Sequence, residues 1–288
     1  MPAAPLITST RMYDAAPAAR AAWHALLGEG HRRAGLRVAF VEHGWPTPIG
    51  ELWQRPGLCG AFMCGWPYAR ALRAGRAYAA VAAVAPAWPA YGDLARYRSE
   101  FLVREDTGWT RVEDALGSRY GWMVRDSQSG WNAPRRRLAA IARERGECGE
   151  RGGRDGGDGG DPRLFQESKG PYGNPRGLLQ ALRQGEIDLT ALDGWYLDLL
   201  RAHDPAALAG IRTVGWTDWT PNPLLVSGPD VDPETTSRLS RVLLAMHEDA
   251  GGALLLRQAH VARFVAADPK SYEVLLDDED AGHYPEIR

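Results

Sequence analysis

Apolar positions along this chain switch repeatedly between the alternation of a strand and the three-to-four spacing of a helix. Pro5–Ser9 (PLITS) reads as a short buried strand. Pro17–Arg33 carries Trp23, Leu26 and Leu27 at helical spacing, and Leu36–Glu42 (LRVAFVE) alternates like a strand. A short helix follows near Ile49–Trp53, then a third strand at Leu58–Cys64 (LCGAFMC). This βαβαβ opening predicts an α/β chain with a mainly parallel sheet flanked by helices.

The alternation then restarts. Tyr97–Arg104 (YRSEFLVR) reads as extended, Arg111–Leu116 as a short helix, Tyr120–Arg125 (YGWMVR) as a strand and Trp131–Glu144 as a helix. Pro175–Gln184 places Leu178, Leu179 and Leu182 on one helical face behind an Asn174 cap. Ile187–Leu192 is the next strand, Trp195–His203 a helix, and Ile211–Trp216 and Leu224–Ser227 further strands. Asp232-Pro233-Glu234 is a cap, an N1 proline and a first-turn acid, and opens a helix to about Glu248. The remainder reads as short, mostly helical packing with a polar tail. Residues 145–162 (RGECGERGGRDGGDGGDP) are too polar and Gly-rich to bury a core and read as a mobile surface loop. No Gly-Lys-Ser/Thr follows these glycines, so they are not a phosphate loop.

Composition narrows the function classes. A chain of 288 residues with a formal net charge of -2 gives no sign of a polyanion partner, which excludes nucleic acid as the expected target. The basic run Arg135-Arg136-Arg137 sits in a helical pattern and reads as a solvated face. No run reaches the ~20 apolar residues of a membrane span. The opening MPAAPLITSTRMYDAAP lacks the charged and apolar regions of a signal peptide. Cys59, Cys64 and Cys148 form no Cys-x-x-Cys pair; the first two read as buried thiols. The seven histidines are scattered without ligand spacing. There is no metal, nucleotide or hydrolase signature, so no cofactor and no metal are expected, and no catalytic residue is nominated.

One segment carries chemistry of its own. Asp126-Ser127-Gln128-Ser129-Gly130-Trp131-Asn132 joins a strand to a helix and brings two hydroxyls and several free amides to a helix N-terminus. That is an anion site in the making; an ordinary N-cap accounts for the same residues. Hydroxyls and aromatics recur at other strand ends: Thr8-Ser9-Thr10-Arg11-Met12-Tyr13, Cys64-Gly65-Trp66-Pro67-Tyr68 and Asp193-Gly194-Trp195-Tyr196. In open parallel sheets, ligands sit at the carboxyl ends of strands.

Taken in order, MYD, CGWPYAR, YRSEFLVRED, DSQSGWN, LLQALRQGEIDLTALDGWY and TPNPLLVSGPDVDPE give the chain its family likeness. It resembles the phosphate/phosphonate-type substrate-binding proteins of ABC importers, which have the periplasmic-binding-protein type II fold. The resemblance implies two α/β lobes joined by two crossover strands: residues 1–105 with 219–288, and residues 106–218. It implies a ligand-closed interlobe cleft holding a small phosphate-like or phosphonate-like anion or a related organic acid. The cleft would be lined by Thr10, Arg11, Met12 and Tyr13, walled by Trp66 and Tyr68, and completed by Ser127, Gln128, Ser129, Gly130, Trp131, Asp193 and Trp195. Eleven Trp against five Phe, with Trp66, Trp131, Trp195 and Trp219 in those segments, also suit a cationic or flat apolar ligand, or simple packing. The implied partners are a small anionic ligand and an ABC permease, for a monomer that does not insert into membranes. The implied location is periplasmic, against which stands the absence of an export signal. A second reading is a cytosolic enzyme on the same fold acting on a small organic acid or cofactor precursor; a third is a cytosolic sensor.

Overall fold

A computed structural model describes residues 5–144 and 164–276. The expected Gly-rich loop at 145–162 and Cys148 lie outside the described residues.

In chain order, β1 (Leu6–Ser9) leads through a 3-10 turn at Arg11–Tyr13 to α1 (Pro17–Arg33), β2 (Val38–Phe40), α2 (Ile49–Trp53), β3 (Leu58–Met63), α3 (Gly65–Arg73), β4 (Ala79–Pro86) and β5 (Arg96–Tyr97). Then come β6 (Ser99–Arg104), β7 (Arg119–Gly121), a π-helical turn at Gln128–Asn132 running into α4 (Ala133–Glu144), β8 (Glu167–Lys169), α5 (Pro175–Arg183) and β9 (Leu189–Asp193). After these come α6 (Gly194–His203), β10 (Ile211–Trp216), β11 (Thr220–Pro221), β12 (Leu224–Ser227), α7 (Pro233–Ala245), α8 (Ala250–Gln258), β13 (Val261–Val265) and a 3-10 stretch at Pro269–Leu275.

These elements form two compact units. The first holds described residues 5–97, 194–206 and 219–276; the second holds 98–144, 164–193 and 207–218. The sequence-based division ran 106–218 as one piece. The structure instead gives β6 to the second unit and α6 to the first, so among the described residues the chain passes between units four times.

The first unit's sheet has the order β13-β4-β12-β3-β1-β2. β1 pairs parallel with β2 and β3, while β12 and β13 run antiparallel to their neighbours. β1 to β4 therefore share one direction. The second sheet has the order β10-β6-β9-β7-β8, with β7 parallel to β8 and β9 and only β6 reversed. Each sheet is thus mixed but mainly parallel in strand direction. The carboxyl ends of β1 and β3 put residues 10–13 and 64–68 side by side in the first unit. Those of β7 and β9 do the same for residues 122–127 and 193 in the second.

The core of the first unit is aromatic. Tyr13, Trp23, Phe62 and Trp195 are at most 2% exposed, and Trp195 stands 4.0 Å from Tyr13, 5.8 Å from Trp23 and 5.9 Å from Phe62 by ring centroid. Edge-on rings at such distances combine large buried area with favourable quadrupole geometry. Together with a Tyr91 hydroxyl that donates to Asp198 at 2.7 Å, this cluster docks α6 on the first unit although its flanking strands belong to the second. In the second unit, Tyr120 stacks on Phe165, and Leu138, Ile141, Leu178, Leu182 and Leu189 are fully buried.

Several sequence expectations need correction. The strand expected at Tyr120–Arg125 stops at Gly121, because the chain turns at Trp122 to receive the helix start. Trp122 N–H instead bonds Lys169 O at 2.9 Å. After Glu248 the expected helical packing is there, as α8 and a 3-10 stretch at Pro269–Leu275, but it also carries a strand that was not expected, β13, which pairs with β4. β4 itself (AAVAAVAP) and α3 were not anticipated, the first because an alanine run has no strand signature, the second because Gly65 and Pro67 read as a turn. Arg135–Arg137 are half-buried, not a solvated face. Cys59 is buried, with its thiol pushed up to about 11 by burial, but Cys64 is half-exposed.

Two predictions follow from this packing. Trp23→Ala removes the centre of the aromatic core and should destabilise the protein by about 3–5 kcal/mol, read from the urea midpoint. In the second unit, Asp188 receives Arg119 Nε at 2.7 Å and Nη2 at 2.8 Å and Arg104 Nη1 at 3.4 Å, and the bonds from Arg119 hold its carboxyl below the usual range. A depressed carboxylate stabilises above its unfolded pKa and loses that contribution as pH falls. Asp188→Asn should therefore lower the melting temperature at pH 7, with the gap to wild type closing below about pH 4; a gap independent of pH would refute the assignment.

Candidate anion-binding site

Why the chain turns at residues 122–132 is a matter of backbone accounting. Ser127 takes an extended conformation (φ -85, ψ 129) and its hydroxyl accepts from Gly130 N–H at 2.9 Å, capping the helix that follows. That helix opens with a π turn, a local widening often found at functional sites. Ser127 O then accepts from Asn132 N–H, and Gln128 Oε1 from Asn132 Nδ2, at 3.0 Å each. A Cβ on Gly130 would lie 2.7 Å from Met123 Cβ, so only glycine lets the helix start close on the preceding loop.

A neighbouring strand holds this helix start. Ser99, on β6, pairs in register with Asp193 on β9. Its hydroxyl donates to Ser129 O at 2.9 Å, while its own N–H donates to Thr217 Oγ1 at 2.9 Å. Ser99, Ser127, Ser129, Asp193 and Thr217 are all buried, at 1–8% exposure. Among the described residues, no protein group bonds the Ser129 hydroxyl. The first-turn amides have no helical acceptor either, and with the helix dipole they favour negative charge.

Two guanidiniums reinforce that sign. Arg125 and Arg135 each lie 5.1 Å over the Trp131 ring, and Arg125 also lies 5.4 Å over Trp122. Trp122 and Trp131 meet edge to face at 5.1 Å. Trp131 is thus a platform for two cations. The arrangement can hold a small oxyanion by hydroxyls and amides in a cationic field, and no cluster of three metal-ligating side chains exists among the described residues.

The sequence-nominated residues divide between the two units. Ser127, Gln128, Ser129, Gly130, Trp131 and Asp193 lie together in the second. Thr10, Arg11, Met12, Tyr13, Trp66, Tyr68 and Trp195 lie in the first. There Tyr13 and Trp195 are core residues, Tyr68 packs edge-on against Tyr272 at 5.3 Å, and the Thr10 hydroxyl donates to Asp14 at 2.5 Å. Burial pushes the Tyr68 hydroxyl up to about 12, so it stays a neutral donor. Trp66 is 5% exposed, carries Arg70 over its ring at 5.0 Å, and has a buried Nε1 without a partner among the described residues. The sequence reading missed Ser99, Thr217, Arg125 and Arg135. Only the β6–β9 register, across more than ninety residues, brings Ser99 to the site; the arginines could have been found from their spacing around Trp131.

A family model described as "ABC transporter, phosphonate, periplasmic substrate-binding protein" matches residues 61–272. The chain belongs to that family. Its fold matches that of the binding component of a Pseudomonas aeruginosa ABC phosphonate transporter (TM-score 0.72, 13% identity, 93% of this chain and 83% of that one). It also matches PhnD1 of Prochlorococcus marinus in complex with methylphosphonate (TM-score 0.72, 14% identity, 96% and 98% covered). XAC2383 of Xanthomonas citri, bound to ATP, matches at TM-score 0.61 and 17% identity over 96% of both chains. No curated protein matches the sequence. The phosphonate-binding family is one of two-lobed, type II periplasmic binding proteins, which is the fold described above.

For this family member, the close seating of the helix start gives a direct test. Gly130→Ala should push the first turn off Met123 and lower affinity for phosphonate or phosphate at least about tenfold, by titration calorimetry, with only a modest fall in melting temperature. Unchanged affinity would show that the helix start is not the anion seat.

Proposed function

We propose that this protein captures a small phosphonate- or phosphate-like anion at the start of the helix formed by residues 128–144 and presents it to the permease of an ABC importer. The observation that supports this most directly is the Ser127-capped π turn, with Ser99 holding its Ser129 carbonyl and Arg125 and Arg135 flanking it. Such a preorganised set binds oxyanions by charge-assisted hydrogen bonds. In this reading the Ser129 hydroxyl and the first-turn amides take the anion's oxygens. Asp193, beside Ser99, accepts from a protonated oxygen or hydroxyl of the ligand.

The family supports a periplasmic place of work, and among the described residues no helix is long and apolar enough to cross a membrane. Ligand capture without turnover is part of the proposal, supported by the family being one of substrate-binding proteins. The protein works as a monomer.

The test is calorimetric titration with methylphosphonate and inorganic phosphate. One ligand per chain is expected, with a change in tryptophan fluorescence from the Trp122–Trp131 pair. Ser127→Ala and Ser129→Ala should each weaken binding about tenfold. Recovery of the ligand unchanged after prolonged incubation is expected; a new phosphorus signal by NMR would mark an enzyme. Absence of binding by every phosphonate and phosphate tried would overturn the reading.

A further inference from the structure

Gln128 and Ser129 open the helix of the second unit and carry four donor groups between them: two backbone amides, the Ser129 hydroxyl and the Gln128 carboxamide. None of the four has an acceptor among the described residues. The next amide, of Gly130, is spent on the Ser127 hydroxyl. Both side chains are nearly enclosed, Gln128 at 2% and Ser129 at 4% exposure. The Gln128 carboxamide is held in place. Its Oε1 accepts from Asn132 Nδ2 at 3.0 Å, one turn further along the helix. That bond turns the oxygen toward Asn132 and leaves Nε2, which can only donate, as the free end.

A buried amide donor without a partner is costly, and each one in a folded protein calls for a group that accepts from it. Neither Nε2 nor the Ser129 hydroxyl is cut off from solvent, so a ligand can reach both. The helix dipole, Arg125 and Arg135 respond to an anion's charge. A neutral carboxamide responds only to an oxygen in the right place. Gln128 therefore reads the shape of the anion. An anion short of one oxygen leaves the enclosed Nε2 unpaired, which is how a polar site rejects an analogue.

We propose that Gln128, aimed by Asn132, takes the third oxygen of a tetrahedral oxyanion, so that the helix start selects phosphonates and phosphate over phosphinates, which offer two oxygens. This rests on the phosphonate reading above and sharpens it. Gln128 is the specificity-determining residue; Asn132 acts through it and is a positioning residue.

Calorimetry with methylphosphonate and with methylphosphinate, which has a hydrogen in place of one oxygen, tests it. Wild type should bind methylphosphonate at least about tenfold more tightly than methylphosphinate. Gln128→Met keeps the length of the side chain and removes both polar ends. It should cost methylphosphonate about tenfold and methylphosphinate less than about twofold. Asn132→Ala should lower the preference about threefold when Gln128 is present and leave it unchanged in the Gln128→Met protein, a coupling that a merely structural role does not produce. Equal wild-type affinities, an equal loss for both ligands in Gln128→Met, or an Asn132→Ala effect that persists without Gln128 would overturn this inference while leaving the phosphonate reading standing. Binding of neither ligand would overturn both. The wild-type preference is read without any substitution, so a variant that fails to fold does not remove the test.

Discussion

A helix cannot bond its own first amides, and the second unit is organised around that unmet demand. Ser127 satisfies one of the donors, and the π turn widens the spiral so that the others stay clear of the helix's own carbonyls. Everything nearby then fixes where those donors lie. Gly130 lets the turn close on Met123; Ser99 ties the Ser129 carbonyl to the edge of β6; Thr217 in turn holds the Ser99 amide. The first-turn amides that remain are donors, the kind of group an oxyanion requires.

The surrounding charge obeys the same logic. Arg125 and Arg135 are placed over indole faces. An aromatic platform orients the cation and leaves most of its charge available. The tryptophan count that stands out in the composition has a concrete use here: Trp131 and Trp122 support cations, while Trp23 and Trp195 fill the first unit's core.

How much of this could be read from the sequence depended on range. Local chemistry was visible: the Asn174 and Asp232 caps, the strand at Leu58–Met63, and the DSQSGWN segment all announce themselves within a few residues. β4 was invisible because alanine neither favours nor forbids a strand; it exists because β12 and β13 on either side supply its ladder. Ser99 read as one polar position in an extended run, and only pairing with Asp193 gives it a role. The placement of α6 was equally unreadable: its sequence neighbours belong to one unit, and its aromatic anchor Trp195 finds Tyr13 and Phe62 in the other.

Arg11 shows why burial and pairing must be weighed together. The same residue type occurs at Arg104 and Arg119, where Asp188 answers both charges and the result is structural. At Arg33, Glu29 and Asp249 do the same on an exposed helix. Those arginines have their anions built into the fold and are complete without a ligand. Arg11 is given a neutral histidine instead, which orients a guanidinium without neutralising it. A fold that had needed only to bury Arg11 had carboxylates at hand in Asp14 and Glu42, and both are committed to Arg20. Among the described residues, Arg11 is therefore oriented by a neutral ring and meets no carboxylate.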